Sequence, residues 1–332
     1  MTSTVPSNSP NASVLEGVPG PLIPGTGHEA RIGADAQAVT TRYWQYGEGM
    51  GSGSFPEGCY PVLLVHGFRG DHHGLEIIAN YLLKLIPNVS IISPDLPGFG
   101  RSGDLPESAP GEDSIDAYVA WLQDFVERTN PLGLPLHVVG HSFGSILTSA
   151  FAAAHPNSLA RLSLINPISE PALEGHQRVT SRLASLYYRA GAALPEKIGY
   201  PLLRSQLITR LSSEVMMRTK DRAMRRFING QHAAYFGSFG SRRGVLSAYE
   251  ASITHTAAEY AAAIRVPVQM LVAEDDDLGT PETARAMYAT LTSRDLPAPR
   301  ERLDMIPEVG HLIHYETPHL AAELIADFAA ER

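Results

Sequence analysis

The chain has 332 residues, 44% of them apolar, and a formal net charge of −9 at pH 7. This length and composition are sufficient for a large hydrophobic core in one domain that carries an insertion. The acidic balance argues against binding to nucleic acid, which needs a basic face, and a single cysteine, Cys59, excludes an intrachain disulfide.

The N-terminal residues 1–27 are rich in Ser, Thr, Pro and Gly, and Glu16 is their only charged side chain. Such a composition predicts a disordered tail. The start of the chain lacks the basic and apolar regions of a signal peptide, and no apolar run is long enough to span a membrane. We therefore expect a soluble cytoplasmic protein.

Two predicted strands in the first half of the chain each end in a glycine-rich turn. The apolar residues 60–65 are followed by His-Gly-Phe-Arg-Gly at 66–70, and then by a helical pattern at 75–85. The apolar residues 89–93 lead into Asp-Leu-Pro-Gly-Phe-Gly-Arg-Ser at 95–102. Short apolar runs bounded by turn residues are typical of strands buried in a sheet.

The sequence Gly-His-Ser-Phe-Gly at 140–144 lies between an apolar run at 136–139 and a helical pattern at 145–154. A strand, a G-x-S-x-G turn and a helix in this order predict a nucleophile elbow. The flanking glycines lack a Cβ and so permit a turn that forces the serine into a strained conformation. We expect Ser142 to present its hydroxyl above the edge of a sheet as a nucleophile.

Together, the HGF, DLPGFGRS and GHSFG motifs closely resemble those of the α/β-hydrolase family, over about residues 60–168 and 266–331. The resemblance implies the α/β-hydrolase fold, in which helices flank a mostly parallel central sheet. The core would comprise residues 28–168 and 265–332. The resemblance also places the two oxyanion-hole donors at the backbone N–H groups of Phe68 and Phe143.

The family resemblance indicates two partners for Ser142. The apolar run 266–272 leads into Ala273-Glu274-Asp275-Asp276-Asp277, where the family usually has G-x-x-D, so Asp276 corresponds to the acid. Asp275 and Asp277 are interpreted as solvated loop carboxylates. His311, in the Gly-His pair after the last predicted strand, corresponds to the general base, whereas His314 and His319 are interpreted as surface or helix-packing residues. The order Ser142, Asp276, His311 is that of the fold.

Residues 169–264 lie where the family carries an inserted helical cap, and their pattern predicts helices at 179–193, 202–219, 222–235 and 247–264. Thirteen Arg or Lys against seven Asp or Glu make this segment basic. Met217 and Tyr235 are candidates to line a substrate pocket, although packing between the helices of the cap is the simpler interpretation of each. Arg218, Arg222, Arg225 and Arg226 are spaced along one helical face, either solvated or attracting an anionic substrate.

The resemblance implies a serine hydrolase that cleaves a carboxylic ester of a small or medium-sized apolar substrate. Hydrolysis of a C–C bond, an amide or a lactone, or acyl transfer, uses the same residues, and a non-catalytic ligand-binding protein is a further alternative. The expected partner is a small molecule, and no cofactor is implied. The His72-His73 pair has no third ligand in view, so no metal site is expected. The oligomeric state stays open.

Overall fold

A central sheet dominates the computed structural model, which describes residues 22–34, 37–106, 114–171, 178–296 and 300–331. In these residues eight strands form the sheet: β1 (Thr26–Ile32), β2 (Val39–Gly47), β3 (Tyr60–Val65), β4 (Val89–Pro94), β5 (Leu136–His141), β6 (Leu159–Ile165), β7 (Val268–Ala273) and β8 (Arg302–Ile306). Their order is β1-β2-β4-β3-β5-β6-β7-β8. β1 and β2 run antiparallel to their neighbours, and the strands from β4 to β8 are parallel.

Helices cover both faces of this sheet. Those described are α1 (His73–Leu85), α2 (Ser114–Thr129), α3 (Phe143–Ala154), α4 (Arg178–Ala193), α5 (Glu196–Leu203), α6 (Gln206–Met216), α7 (Arg222–Tyr235), α8 (Arg242–Thr254), α9 (Pro281–Thr292), α10 (Ile313–Glu316) and α11 (Pro318–Ala330). None of the helices within the described ranges is long and apolar enough to cross a bilayer.

Alternate side chains of the central strands enter two separate cores. Val62 and Leu64 of β3 belong to a cluster that includes apolar residues of α1 and α11. Leu63 and Val65 belong to the opposite cluster, which includes residues of α2 and α3. Successive side chains of a strand point to opposite faces, and both faces of β3 are covered by helices. The strand is therefore apolar at every position from 61 to 65. The predicted α/β class, with a mostly parallel sheet flanked by helices, is confirmed.

Helices α4 to α8, residues 178–254, are inserted between β6 and β7, and we refer to them as the inserted segment. The helix predicted over 202–219 is divided, because α5 ends at Leu203 and α6 begins at Gln206. The helix predicted over 247–264 ends at Thr254. There the Thr256 side chain accepts a hydrogen bond from the Glu259 N–H and the Glu259 carboxylate binds the Thr256 N–H, a capping box that starts a new 3-10 turn.

Two further differences from the sequence interpretation concern the predicted N-terminal tail and the four arginines between residues 218 and 226. β1 begins at Thr26, inside the predicted tail, whose residues 1–21 lie outside the described ranges. The four arginines do not share a helical face, because α7 begins at Arg222 and Arg218 precedes it. Arg218 pairs with Asp277 and Arg225 pairs with Glu214, so two of the four charges are neutralised locally.

Candidate active site

Ser142 lies at a sharp turn between β5, which ends at His141, and α3, which begins at Phe143. Its backbone has φ 52° and ψ −118°, a positive φ that a residue with a Cβ rarely adopts. Glycine is needed beside it, because a Cβ on Gly144 would lie 2.3 Å from the Val65 carbonyl oxygen. The close approach of α3 to β3 therefore holds the serine in a strained conformation at the carboxyl edge of the sheet.

The structure brings Ser142, His311 and Asp276 into one hydrogen-bonded chain. His311 Nδ1 lies 2.8 Å from Asp276 Oδ2, and His311 Nε2 lies 2.8 Å from Ser142 Oγ. A carboxylate only accepts hydrogen bonds, so Nδ1 carries the proton and donates it. Nε2 is then the acceptor for the Ser142 hydroxyl. Asp276 and His311 are 3% and 4% exposed, so water competes little for either contact.

The three adjacent aspartates have different surroundings. Asp276 faces His311, and its second oxygen, Oδ1, accepts a hydrogen bond of 2.8 Å from the Leu278 N–H. Asp277 pairs with Arg218, and Asp275 is exposed. The carboxylate that meets the histidine is thus the one at the position that the sequence motif indicates.

Asn166, which the sequence interpretation did not single out, connects the two loops that carry Asp276 and His311. It follows β6, and its Oδ1 accepts a 2.8 Å hydrogen bond from the Ala273 N–H at the end of β7. Its Nδ2 donates to the Gly310 carbonyl oxygen at 3.1 Å. The sequence signal that could have identified Asn166 is its position directly after a buried strand. Its two partners could not be identified in this way, because they are more than 100 residues away in the chain.

Three buried histidines surround His311. Burial first, and then the neighbouring His311, lowers the pKa of His141 to about 3, and burial lowers that of His232 to about 4. Burial also holds the pKa of His314 well below its usual value. His141 Nε2 donates to the His311 carbonyl oxygen at 3.3 Å. His314 lies in the short helix α10 and is buried, so of the two interpretations offered by the sequence it is a packing residue and not a surface one, and its ring is 4.1 Å from that of His141.

Phe68 and Phe143 flank the serine. Phe143 is the first residue of α3, so its N–H belongs to the helix terminus directly after Ser142. Phe68 follows Gly67, and a Cβ built on Gly67 would lie 3.2 Å from the Ser142 Cβ. The His-Gly-Phe turn after β3 therefore packs against the serine turn.

A cavity of about 130 Å³ opens at Ser142 and His311. The inserted segment supplies much of its wall, through Met216, Gln231, His232, Tyr235 and Phe236. Tyr235 lies on the wall where the sequence interpretation placed it. Met217 does not, because its side chain is 3% exposed and packs in the core cluster beneath, while its neighbour Met216 contacts the cavity.

Arg69, the residue after Phe68, ties the core to the inserted segment. Its buried guanidinium donates to the Leu203 carbonyl oxygen at 2.8 Å, to the Phe236 carbonyl oxygen at 3.1 Å and to the Tyr188 hydroxyl at 3.3 Å. Among the described residues no carboxylate pairs with this cation. Carbonyl groups at the C-terminal ends of α5 and α7 provide the negative partial charge instead.

Replacing Arg69 with methionine is expected to loosen the inserted segment, because two buried carbonyl groups lose their donor. The free energy that protects the amides of α5 and α7 from hydrogen exchange should fall by about 2 kcal/mol. Arg242→Met is the matched control, since Arg242 donates to the Leu194 carbonyl oxygen at 2.6 Å entirely within the inserted segment. Equal exchange of α7 amides in the two variants would contradict the assignment of Arg69 to this contact.

Asp71, His72 and His73 form a cluster beside the cavity that the sequence interpretation did not foresee. One potential metal-ligand atom from each lies within 4.8 Å of the others, so Asp71 is the third group that was missing. His73 Nδ1 donates to Asp71 at 2.9 Å, and His72 Nδ1 donates to Asp95 at 2.8 Å. Both carboxylates thus already have a protein partner in the described part of the chain.

Comparisons with known proteins agree with this architecture. The chain is 39% identical over 112 residues to lipase LipV of Mycobacterium tuberculosis and 31% identical over 137 residues to abhydrolase domain-containing protein abhd-5.2 of Caenorhabditis elegans. These matches cover 34% and 39% of this chain but only 39% and 28% of those proteins. Human monoacylglycerol lipase ABHD6 is 24% identical over 276 residues, which cover 81% of this chain and 75% of that protein.

The fold also matches solved structures. A thermophilic esterase from Thermogutta terrifontis superposes with a TM-score of 0.63 at 22% identity, covering 91% of this chain and 97% of that one. A sequence model of the alpha/beta hydrolase family matches residues 62–324, which is most of the chain and includes the turns described above. The chain therefore belongs to the alpha/beta hydrolase family.

Proposed function

We propose that this enzyme is a serine hydrolase that cleaves carboxylic esters through Ser142, His311 and Asp276. The observation that carries the proposal is the pair of 2.8 Å contacts that join the three side chains in series. The names of two relatives, a lipase and a monoacylglycerol lipase, support an ester as the substrate.

In the proposed reaction, His311 Nε2 takes the proton of Ser142 as the hydroxyl oxygen attacks the ester carbonyl carbon. The resulting tetrahedral intermediate collapses, the C–O bond to the alcohol breaks, and His311 returns the proton to the leaving alkoxide. Water then attacks the acyl-enzyme in the same manner and releases the acid. Asp276 orients the imidazole and stabilises its cationic form without taking the proton.

The N–H groups of Phe68 and Phe143 are the proposed donors to the oxyanion. The Phe143 N–H lies at the N-terminus of α3, where the helix dipole also favours negative charge. The Phe68 N–H lies in the turn that packs against Ser142. Both groups belong to the backbone of packed elements, so they need little reorganisation when charge develops on the substrate.

We further propose that the inserted segment acts as a cap over the site. Its residues form one wall of the cavity, and Arg69 fixes it to the turn that carries Phe68. A closed wall excludes water and strengthens the contacts to the oxyanion. A cavity of about 130 Å³ suits a small or medium-sized apolar group, with Tyr235 in contact with it.

The nucleophile is tested with a fluorophosphonate probe, which reacts with an activated serine. We expect one equivalent of label on Ser142, no label on the Ser142→Ala variant and full label on Ser149→Ala. Ser149 is a matched control because it is a buried serine of α3, the helix that follows Ser142, and its hydroxyl contacts no other polar group in the described residues. Undiminished labelling of Ser142→Ala would rule out the proposed nucleophile.

The reaction type is tested with a panel of chromogenic esters of increasing acyl length, together with an amide and a lactone of matched size. We expect the esters to be cleaved fastest and the rate to depend on acyl length, because the cavity is small. If only the lactone or only the amide were cleaved, the proposed substrate class would change from ester to that compound, and the assignment of the three catalytic residues would stay.

A further inference from the structure

Helix α6 presents its apolar side chains to solvent. Leu207, Leu211 and Val215 recur every four residues and therefore form one stripe, and they are 67%, 54% and 53% exposed. A helix on the surface of a globular protein normally turns this stripe toward the core. Single exposed leucines are common, but a full stripe of three is not explained by chance exposure.

The opposite side of α6 is polar and buried. Thr209 and Ser213 are 2% and 0% exposed. The Ser213 hydroxyl donates to the Thr209 carbonyl oxygen at 2.9 Å, and its oxygen lies 2.5 Å from His232 Nδ1 on the cavity wall. Rotating the helix to bury its leucines would break the contact between Ser213 and His232, which lies on α7. The apolar stripe is therefore outward in the folded protein, and the contact of Ser213 with His232 holds the inward face against α7.

The two preceding helices extend this exposed apolar character. Leu183 and Leu186 of α4 and Ile198 of α5 are 64%, 65% and 57% exposed. Six of the twelve large apolar side chains that are exposed in the described residues thus lie between residues 183 and 215. Such a concentration is typical of a surface that binds another apolar phase or partner.

The charges around the stripe identify the chemistry of that partner. Between residues 182 and 215 the exposed basic side chains are Arg182, Arg189, Lys197, Arg204 and Arg210, while Glu196 is the one exposed acid there. The remaining acid of this stretch, Glu214, is paired with Arg225. Apolar side chains next to an excess of cations match the interface of a bilayer with anionic headgroups.

We infer that α6 is a docking surface for an anionic lipid bilayer, with Leu207, Leu211 and Val215 inserted among the headgroups. The surface lies beside the cavity, because Val215 is exposed on the stripe and the next residue, Met216, lines the cavity wall. Docking would bring the mouth of the cavity close to molecules dissolved in the membrane. The inference concerns binding and does not depend on the reaction proposed for the cavity.

Vesicle co-sedimentation tests the inference, with vesicles of phosphatidylcholine alone or mixed with phosphatidylglycerol. The Ser142→Ala variant is used throughout, so that no lipid is consumed. We expect binding to the mixed vesicles that weakens with added salt. Adding Leu211→Asp should weaken it about tenfold, since one buried leucine is lost, and Arg210→Gln should weaken it about fivefold.

Leu132→Asp is the matched control for Leu211→Asp, because Leu132 is also 54% exposed but lies in the turn before β5. It should leave vesicle binding unchanged, and thermal melting of both variants checks that neither disturbs the fold. Equal loss of binding in the two variants, or no binding by the parent protein, would overturn the inference. Sedimentation velocity provides a further test: an oligomer that Leu211→Asp dissociates would assign the surface to a second copy of the chain instead.

Discussion

Replacing Asp276 with asparagine is expected to lower kcat for ester cleavage by about ten-thousandfold, the magnitude known for this change in serine proteases. The side chain keeps its size, but an amide at the position of Oδ2 no longer fixes the proton on His311 Nδ1. The imidazole then adopts the tautomer that has no lone pair facing Ser142. Steady-state kinetics with an ester substrate measure the loss, and KM should change far less than kcat.

The two neighbouring aspartates provide controls that differ from Asp276 only in what they contact. Asp275→Asn removes an exposed charge, and Asp277→Asn removes the partner of Arg218. Neither carboxylate contacts His311 in the structure, so each change should alter kcat by less than about threefold. If Asp277→Asn lowered kcat severely and Asp276→Asn did not, the acid would have been assigned to the wrong residue.

Acid is expected to destabilise this protein steeply between pH 7 and pH 5. Burial lowers the pKa of His137 to about 3, and the pKa values of His141 and His232 are about 3 and about 4. The folded protein keeps these rings neutral, whereas the unfolded chain binds protons below pH 6.5. The unfolded state therefore holds more protons in this window, and the free energy of unfolding falls as pH falls.

The size of this effect follows from the number of buried rings. Each ring contributes about 1.4 kcal/mol per pH unit below pH 6.5, which is about 2 kcal/mol at pH 5. The three together lower the free energy of unfolding by about 6 kcal/mol, comparable to the total stability of many domains. Urea unfolding at a series of pH values measures the dependence.

His137 allows this prediction to be tested away from the candidate site. It lies on β5, where its ring contacts Ser163 Oγ at 2.8 Å and the Tyr60 hydroxyl at 3.1 Å. In His137→Gln the difference in unfolding free energy between pH 7 and pH 5 should shrink by about 2 kcal/mol. His319→Gln, at a side chain that is 53% exposed, should leave the difference unchanged. An unchanged pH dependence in both variants would mean that His137 titrates normally.

Features set by neighbouring residues in the chain could be predicted from the sequence. The turn at Ser142 requires glycine at 140 and 144, and both are visible in the sequence. The start of α9 could be predicted for the same reason. The Thr280 side chain accepts a hydrogen bond from the Thr283 N–H, and Pro281 is the first residue of the helix. Turns and helix caps satisfy their own backbone groups within a few residues, so no tertiary information is needed to recognise them.

Features set by distant contacts could not be predicted in this way. Arg69 meets the Leu203 carbonyl oxygen 134 residues away, and the sequence around Arg69 does not indicate such a partner. Met216 and Met217 show the limit on a finer scale. Met216 is the last residue of α6 and Met217 follows it in extended backbone, so the point at which the helix ends decides which methionine reaches the cavity. The position of α6 depends in turn on the contact of Ser213 with His232, which lies on another helix.

The backbone of Ser142 has a consequence for how this protein changes in evolution. At φ 52°, any side chain costs about 1–3 kcal/mol relative to glycine. Drift from serine to glycine at this position would therefore remove the proposed nucleophile and stabilise the fold at the same time. A threonine would retain a hydroxyl but add a β-branch where the backbone tolerates it least. Folding stability alone thus favours loss of the hydroxyl, and the proposed role of Ser142 in turnover is the reason to expect serine at this turn.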